Sequence, residues 1–306
     1  MGPSIPIALP RPDVSSASVV VEPPGPGRGN WVGAASVVFS EGVYHLSYRL
    51  RSPGTSNRGY GLILAESTDG IEFETTVVLP KEAFGAESLE RPALVRCPDG
   101  RWRIYISCAT PESKHWWIDA IDASSPREFH PRDRYTVFPG DAATAYKDPF
   151  VMFHDGEWLG WICRHPLTDP DATDRMATSF AVSDDGMDWV IKEDALRPEP
   201  GTWYERGARV ACVLRAGDGW VAYFDGRATA TDNAEEKTGV AVALSDSPGV
   251  LTPVDGEPFA TSPWGSGSLR YLSVVELDDG RYRLFYEAAV QDGSHALFSQ
   301  LCEVNR

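Results

Sequence analysis

The same two-stranded hairpin is written five times along this chain. Its turns are Glu41-Gly42, Asp99-Gly100, Asp155-Gly156, Asp218-Gly219 and Asp279-Gly280, and successive glycines lie 58, 56, 63 and 61 residues apart. Each turn separates two short runs rich in Val, Ile, Tyr, Phe and Trp. An acidic residue followed by glycine between such runs is a strong hairpin signal. A near-constant period of this size means one supersecondary unit repeated, as in the blades of a propeller or the units of a solenoid.

Each unit carries more than its hairpin. A third extended run follows at Tyr60–Glu66, His115–Ile121, Ala177–Val182, Gly239–Leu244 and His295–Cys302. In the first and third units it ends in an S-x-D-G-x-x-aromatic segment, Ser67–Phe73 and Ser183–Trp189, with looser versions at Asp122–Phe129 and Ser245–Val250. The Asp-Gly makes a turn, and the aromatic is placed to pack between neighbouring sheets. A fourth run follows, as at Thr76–Leu79. Four antiparallel strands per unit is a propeller blade. The last unit ends too early for a fourth strand, and the lone run Ser16–Glu22 can supply it. The expectation is one all-β domain over residues 1–306, a five-bladed β-propeller. Residues 1–29 form a lead-in and closing strand, and the blades lie at about 30–80, 88–140, 145–195, 203–256 and 268–306. No long helix is expected; Ala83–Glu90 suggests one short turn.

Composition narrows the function. A net charge of -16 argues against a nucleic-acid partner, whose phosphates need a basic surface, and against a polybasic membrane contact. The five cysteines, Cys97, Cys108, Cys163, Cys212 and Cys302, have no framework spacing and read as buried thiols in a reducing compartment. The first residues lack a basic segment and an apolar core of signal-peptide length, so a cytoplasmic protein is expected. No cofactor and no metal is assigned.

In a propeller the first strand of each blade lines the central channel. The start of strand one and the end of strand two then share one face. That face collects Asn30-Trp31, Glu90-Arg91, Tyr146-Lys147-Asp148, Trp203-Tyr204-Glu205-Arg206 and Arg270-Tyr271 from strand-one starts, and Arg49, Arg51, Arg164-His165, Asp225-Gly226-Arg227 and Glu287 from strand-two ends. The carboxylates Glu90, Asp148, Glu205, Asp225 and Glu287 come from different blades. Paired carboxylates are what glycosidic cleavage needs, and crowded ones shift each other's proton affinity. Two readings of the arginines stand side by side. They bind an anionic substrate, such as a uronic acid or a phosphorylated sugar, or each pairs with a neighbouring carboxylate and orients it. Trp31, Tyr146, Trp203, Tyr204 and Tyr271 offer flat surface suited to sugar rings. Trp116-Trp117 reads as packing between blades, away from the channel.

These residues resemble the five-bladed propeller glycosidases, glycoside hydrolase families 43, 32, 62, 68, 117 and 130. The best match is Tyr146-Lys147-Asp148-Pro149-Phe150-Val151 before the Asp155-Gly156 turn. It is similar to the family 43 segment whose third-blade Asp-Pro orients the general acid. That acid is a glutamate at the start of the fourth blade, and Glu205 lies 57 residues after Asp148. The resemblance therefore implies Glu205 as acid and Asp148 as its modulator. The departure is in the first unit, where Ala34-Ala35 stands in place of the family's catalytic Asp-Pro. Glu90, Asp225 or Glu287 are the carboxylates able to replace it. Three functions remain open: a glycosidase acting on a small sugar, anionic or highly hydroxylated; a related enzyme using the funnel for elimination, isomerisation or cyclisation; and a non-catalytic sugar-binding propeller. In each the partner is a saccharide or other small molecule.

Overall fold

The computed structural model describes residues 8–304 apart from 218, 244–246 and 255. The extended runs become strands in groups of four. After β1 (Ser18–Val21), the first sheet holds β2 (Trp31–Ser40), β3 (Val43–Arg51), β4 (Gly61–Ser67) and β5 (Glu74–Pro80). The second holds β6 (Leu89–Arg96), β7 (Trp102–Ala109), β8 (Trp116–Ala123) and β9 (Arg134–Phe138). The third holds β10 (Thr144–His154), β11 (Glu157–Pro166), β12 (Ala177–Ser183) and β13 (Val190–Leu196). The fourth holds β14 (Gly207–Ala216), β15 (Gly219–Arg227), β16 (Lys237–Ala243) and β17 (Leu251–Pro253). Last come β18 (Leu269–Glu276), β19 (Tyr282–Ala289) and β20 (His295–Cys302). Within each group neighbouring strands pair antiparallel in sequence order, the arrangement of a propeller blade. β1 pairs antiparallel with β20, so the N-terminal strand is the fourth member of the last sheet, as the short final unit led us to expect. Its start is later than the sequence suggests, because Val14–Ser16 forms a 3-10 turn capped by the Asp13 carboxylate.

The first strands of the sheets pack on one another in order, β2 on β6, β6 on β10, β10 on β14, β14 on β18, and β18 on β2. A separate apolar cluster fills each gap between adjacent sheets. Leu62, Leu94 and Ile104 lie between the first and second sheets, Ile118, Ile162 and Ala181 between the second and third. Trp161, Val210 and Phe224 join the third and fourth, Tyr223, Leu272 and Tyr286 the fourth and last, and Val32, Leu46 and Phe285 the last and first. All five cysteines are buried and unpaired.

The hairpin turns use two geometries. Glu41-Gly42 and Asp155-Gly156 have positive φ at both residues, the two-residue turn whose twist suits a hairpin. Asp99 and Asp279 instead sit in longer loops, where each carboxylate accepts the N–H two residues on and only the following glycine is left-handed. The turn at 218 and the end of the run at 244, with the start of the looser segment at 245–246, lie outside the described residues. The S-x-D-G segments behave alike. Ser67 Oγ accepts from Gly70 N–H while Asp69 Oδ1 accepts from Ile71 and Glu72 N–H, and Ser183 and Asp185 repeat the pattern. Their aromatics pack across sheets, Phe73 against Phe285 and Trp189 against Tyr105 and Phe138.

Candidate functional site

Every inner strand carries one extra residue against its partner. The register slips between Gly33 and Ser36, Glu90 and Pro92, Lys147 and Phe150, Val210 and Cys212, and Arg270 and Ser273. Such bulges bend a strand and re-aim its side chains. Three of them hold a non-glycine residue left-handed: Ala34 (φ 55°), Asp148 (φ 49°) and Tyr271 (φ 55°). Ala34 and Asp148 are thus equivalent positions, as the motif alignment requires. The bulge also buries both members of the adjacent pair Glu90-Arg91, which strict alternation would point apart.

The bulged strands deliver a buried web of charge. Arg49 Nη2 donates to Glu287 Oε2 at 3.0 Å, and its Nε stands 3.0 Å from Glu90 Oε2 without hydrogen-bond alignment. Arg270 donates to Glu287 Oε1 at 2.7 Å and to Glu236 Oε2 at 2.6 Å. Arg227 reaches Glu236 Oε1 at 2.7 Å. Arg209 bridges Asp148 Oδ2 at 2.7 Å and Asp225 Oδ2 at 2.9 Å, and lies 3.0 Å from the Tyr271 hydroxyl. Arg91 crosses the centre to donate to the carbonyls of Val210 and Ala211 in β14. His295 sets one ring nitrogen 2.9 Å from Glu287 and the other 3.2 Å from Glu235. Burial alone would raise the Glu90 carboxyl, but Arg49, Lys147 and Arg51 overcome it and hold it at about 2. Glu236 and Glu287 are likewise held well below the carboxylate range against burial, chiefly by Arg270. These groups stand as carboxylates.

Above this web lies a cavity of about 340 Å³ fed by all five groups of strands. Seven cations line it, Arg51, Arg58, Lys114, Lys147, Arg209, Arg227 and Arg270, against two carboxylates, Glu90 and Glu236. The lining thus carries more cations than carboxylates although the chain as a whole has a net charge of -16. Trp31 and Tyr271 supply aromatic wall, with Arg51 and Arg270 over the Trp31 ring at 4.8 and 5.4 Å. His165 also lines it. Burial first, then Lys147 and Arg227, push its ring down to about 3, so it is neutral and its Nδ1–H donates to the Thr173 carbonyl at 3.0 Å.

The residues expected from sequence divide three ways. Trp31, Arg51, Glu90, Lys147, His165, Arg227, Arg270 and Tyr271 reach the cavity. Arg49, Arg91, Asp148, Asp225 and Glu287 lie buried beneath it in the charge web. The others do not join it. Glu205, expected as the acid, is exposed on the turn before β14, and its Oε2 accepts from Gly201 N–H at 2.9 Å. Arg206 pairs with Asp174 beside it, and Arg164 with Asp194. Trp203 and Tyr204 pack on Phe224, and Tyr146 on Phe138. Asn30 donates to the Pro26 carbonyl and fixes its own loop. Most of the arginines pair with carboxylates, as the second reading of them expects. Trp116 is not remote from the channel as expected, because its ring carries Lys147 at 4.2 Å and Arg58 at 5.2 Å.

Sequence reasoning missed Arg58, Lys114, Met176, Glu235, Glu236 and His295. All stand just before or at the start of a third strand: β4, β8, β12, β16 and β20. Strand three runs parallel to strand one, so its start opens on the same face, a signal available from the repeat itself. Arg209 was missed because it lies two residues inside β14.

Neither a family model nor a curated protein matches the chain. Solved structures do. A thermostable family-43 glycoside hydrolase superposes with a TM-score of 0.65 at 17% identity over 90% of each chain. A glycosyl hydrolase from Bacteroides ovatus gives 0.67 at 14%, covering 99% of this chain and 96% of that one. A beta-1,2-mannobiose phosphorylase from Listeria innocua, solved with beta-1,2-mannobiose, gives 0.65 at 13% over 97% of each. These neighbours are thus glycoside hydrolases, one of them of family 43, and a phosphorylase, and at these identities the likeness is one of fold.

Proposed function

We propose that this chain is a five-bladed propeller closed by β1, and that it is a sugar-active enzyme whose cavity takes a small anionic saccharide. The observation that carries this is the cavity lining, seven cations and two carboxylates beside Trp31 and Tyr271. Guanidinium forks match carboxylate or phosphate bidentately, and a flat aromatic suits the apolar face of a sugar ring. A volume of about 340 Å³ suits one or two sugar units. Glu90 and Glu236 take the reactive roles. Standing ionised, they suit a base that takes a proton from the attacking group and a stabiliser of positive charge at the anomeric carbon. Asp148 and Asp225 position Arg209 from below.

A second reading, elimination next to a substrate carboxylate, is favoured by one observation: Glu90, Glu236 and Glu287 are all held as carboxylates, so none is poised as a proton-donating acid. In that step the base removes the proton beside the substrate carboxylate. The arginines bear the charge that develops, and the bond to the leaving oxygen breaks as a double bond forms.

A thermal-shift screen of sugars, sugar phosphates and uronic acids tests binding, since a ligand stabilises in proportion to its occupancy. Anionic members should raise Tm and neutral ones should not; the reverse order would sink the reading. Nitrophenyl glycosides and glycuronides then separate the chemistries: hydrolysis releases nitrophenol, whereas elimination beside the carboxylate expels the oxygen on C4 and gives the ultraviolet absorbance of an unsaturated uronide that keeps its nitrophenyl group. Glu90→Gln and Glu236→Gln should each cut turnover by about 100-fold or more.

A further inference from the structure

A second cavity, of about 620 Å³, opens beside the first. Ala142, Leu167, Pro170 and Thr173 line it together with Ser113, Lys114, His115 and one carboxylate, Asp141. Lys114 lines both cavities. The divider between them is thin: His165 lines the first, Thr173 lines the second, and the two are joined by the 3.0 Å bond from His165 Nδ1 to the Thr173 carbonyl. Leu167, two residues beyond His165, lines the second cavity and is held there by its N–H donating to the Ala143 carbonyl. The two chambers differ in chemistry. The first is dominated by cations, whereas the second has Lys114 as its one lysine or arginine, and that is the residue it shares.

We propose that the two chambers bind one bipartite ligand. Its anionic sugar unit sits among the arginines, its glycosidic link passes Lys114, and a weakly polar or uncharged group beyond that link fills the second chamber. This rests on the reading of the first cavity as an anionic-saccharide site. It adds the substrate class: a glycoside of an anionic sugar with a sizeable second part, rather than a free acidic monosaccharide. Lys114 is exposed and has no ion pair among the described residues, which leaves its ammonium free to meet the ligand at the junction.

The test compares glucuronic acid with 4-nitrophenyl glucuronide by calorimetry on the whole protein. Two variants fill or recharge the second chamber away from the charge web, Ala142→Trp on an exposed turn and Leu167→Asp. The glycoside should bind at least about tenfold more tightly than the acid, and both variants should remove that gain while leaving the acid's affinity unchanged. Equal affinity for the two probes, or a gain that survives both variants, overturns the inference alone. Binding of neither probe overturns it together with the reading of the first cavity. Loss of the acid's affinity in both variants, with melting behaviour unchanged, would mean that the chambers are not separate binding regions and would also overturn it.

Discussion

Arg49 holds carboxylates from two different sheets, Glu90 on β6 and Glu287 on β19, and is itself fully enclosed. Removing it leaves two buried carboxylates each short of a partner. Arg49→Met should therefore cost about 3–5 kcal/mol in denaturant unfolding, far more than breaking an exposed pair such as Arg101–Asp99. The same web sets an acid limit. Glu90 falls from an ordinary 4.5 to about 2 in the fold, so its contribution is fully present above the unfolded value and is lost as pH falls from about 4.5 towards 2. Glu236 and Glu287 are shifted in the same direction and act alike. Unfolding free energy measured across that window should drop steeply, and Glu90→Gln should flatten part of the slope. An unchanged slope would mean that the web does not govern acid stability. At this scale the sequence was legible where a residue begins strand one or ends strand two, as for Glu90, Arg227 and Arg270. It was misleading at Glu205, because a strand-one start was assumed there and β14 begins only at Gly207.

The hairpin turns make a sharper test at the level of elements, because identical motifs adopt different backbones. Glu41 and Asp155 are left-handed and Asp99 is not. A side chain with a β-carbon is strained in that region, and asparagine tolerates it best. Glu41→Asn and Asp155→Asn should each stabilise by up to about 1 kcal/mol, while Asp99→Asn should give no gain in the same melts. The motif announced every hairpin, but turn geometry follows from loop length, and Arg96 pairing with Trp102 leaves a longer loop that the dipeptide does not reveal. The inner-strand bulges were equally hidden. Only the resemblance pointed to Ala34 and Asp148 as counterparts, and the backbone supplies the reason in their shared left-handed conformation. Gly33 shows what that geometry demands nearby, since any β-carbon there would collide with the Glu287 side chain.

At the scale of the whole molecule the period near 60 residues conveyed most of the architecture: the four-stranded groups, and the need for a strand from the N-terminus beside β20. It did not convey how the lead-in is anchored. The Tyr223 hydroxyl donates to the Pro10 carbonyl, and Asp13 N–H donates to Gln300 Oε1, so residues before β1 tie the fourth sheet to the last. A chain beginning at Glu22 would expose the edge of β20 and lose both ties. It should melt well below the full chain and form aggregates visible by size-exclusion chromatography, and an unchanged melt would count against any role for the lead-in.

Trp31 meets His295 where the first and last sheets touch, through one parallel bridge, a 5.1 Å ring stack and a bond from His295 N–H to the Asn30 carbonyl. The cavity takes Trp31 from one side of that junction and Arg270 from the other. These residues lie far apart in the sequence, so the cavity wall is finished only when the last sheet has docked against the first. Without the last sheet the earlier four have no complete cavity wall, so the pocket is a property of the closed ring of strands and of no part of it.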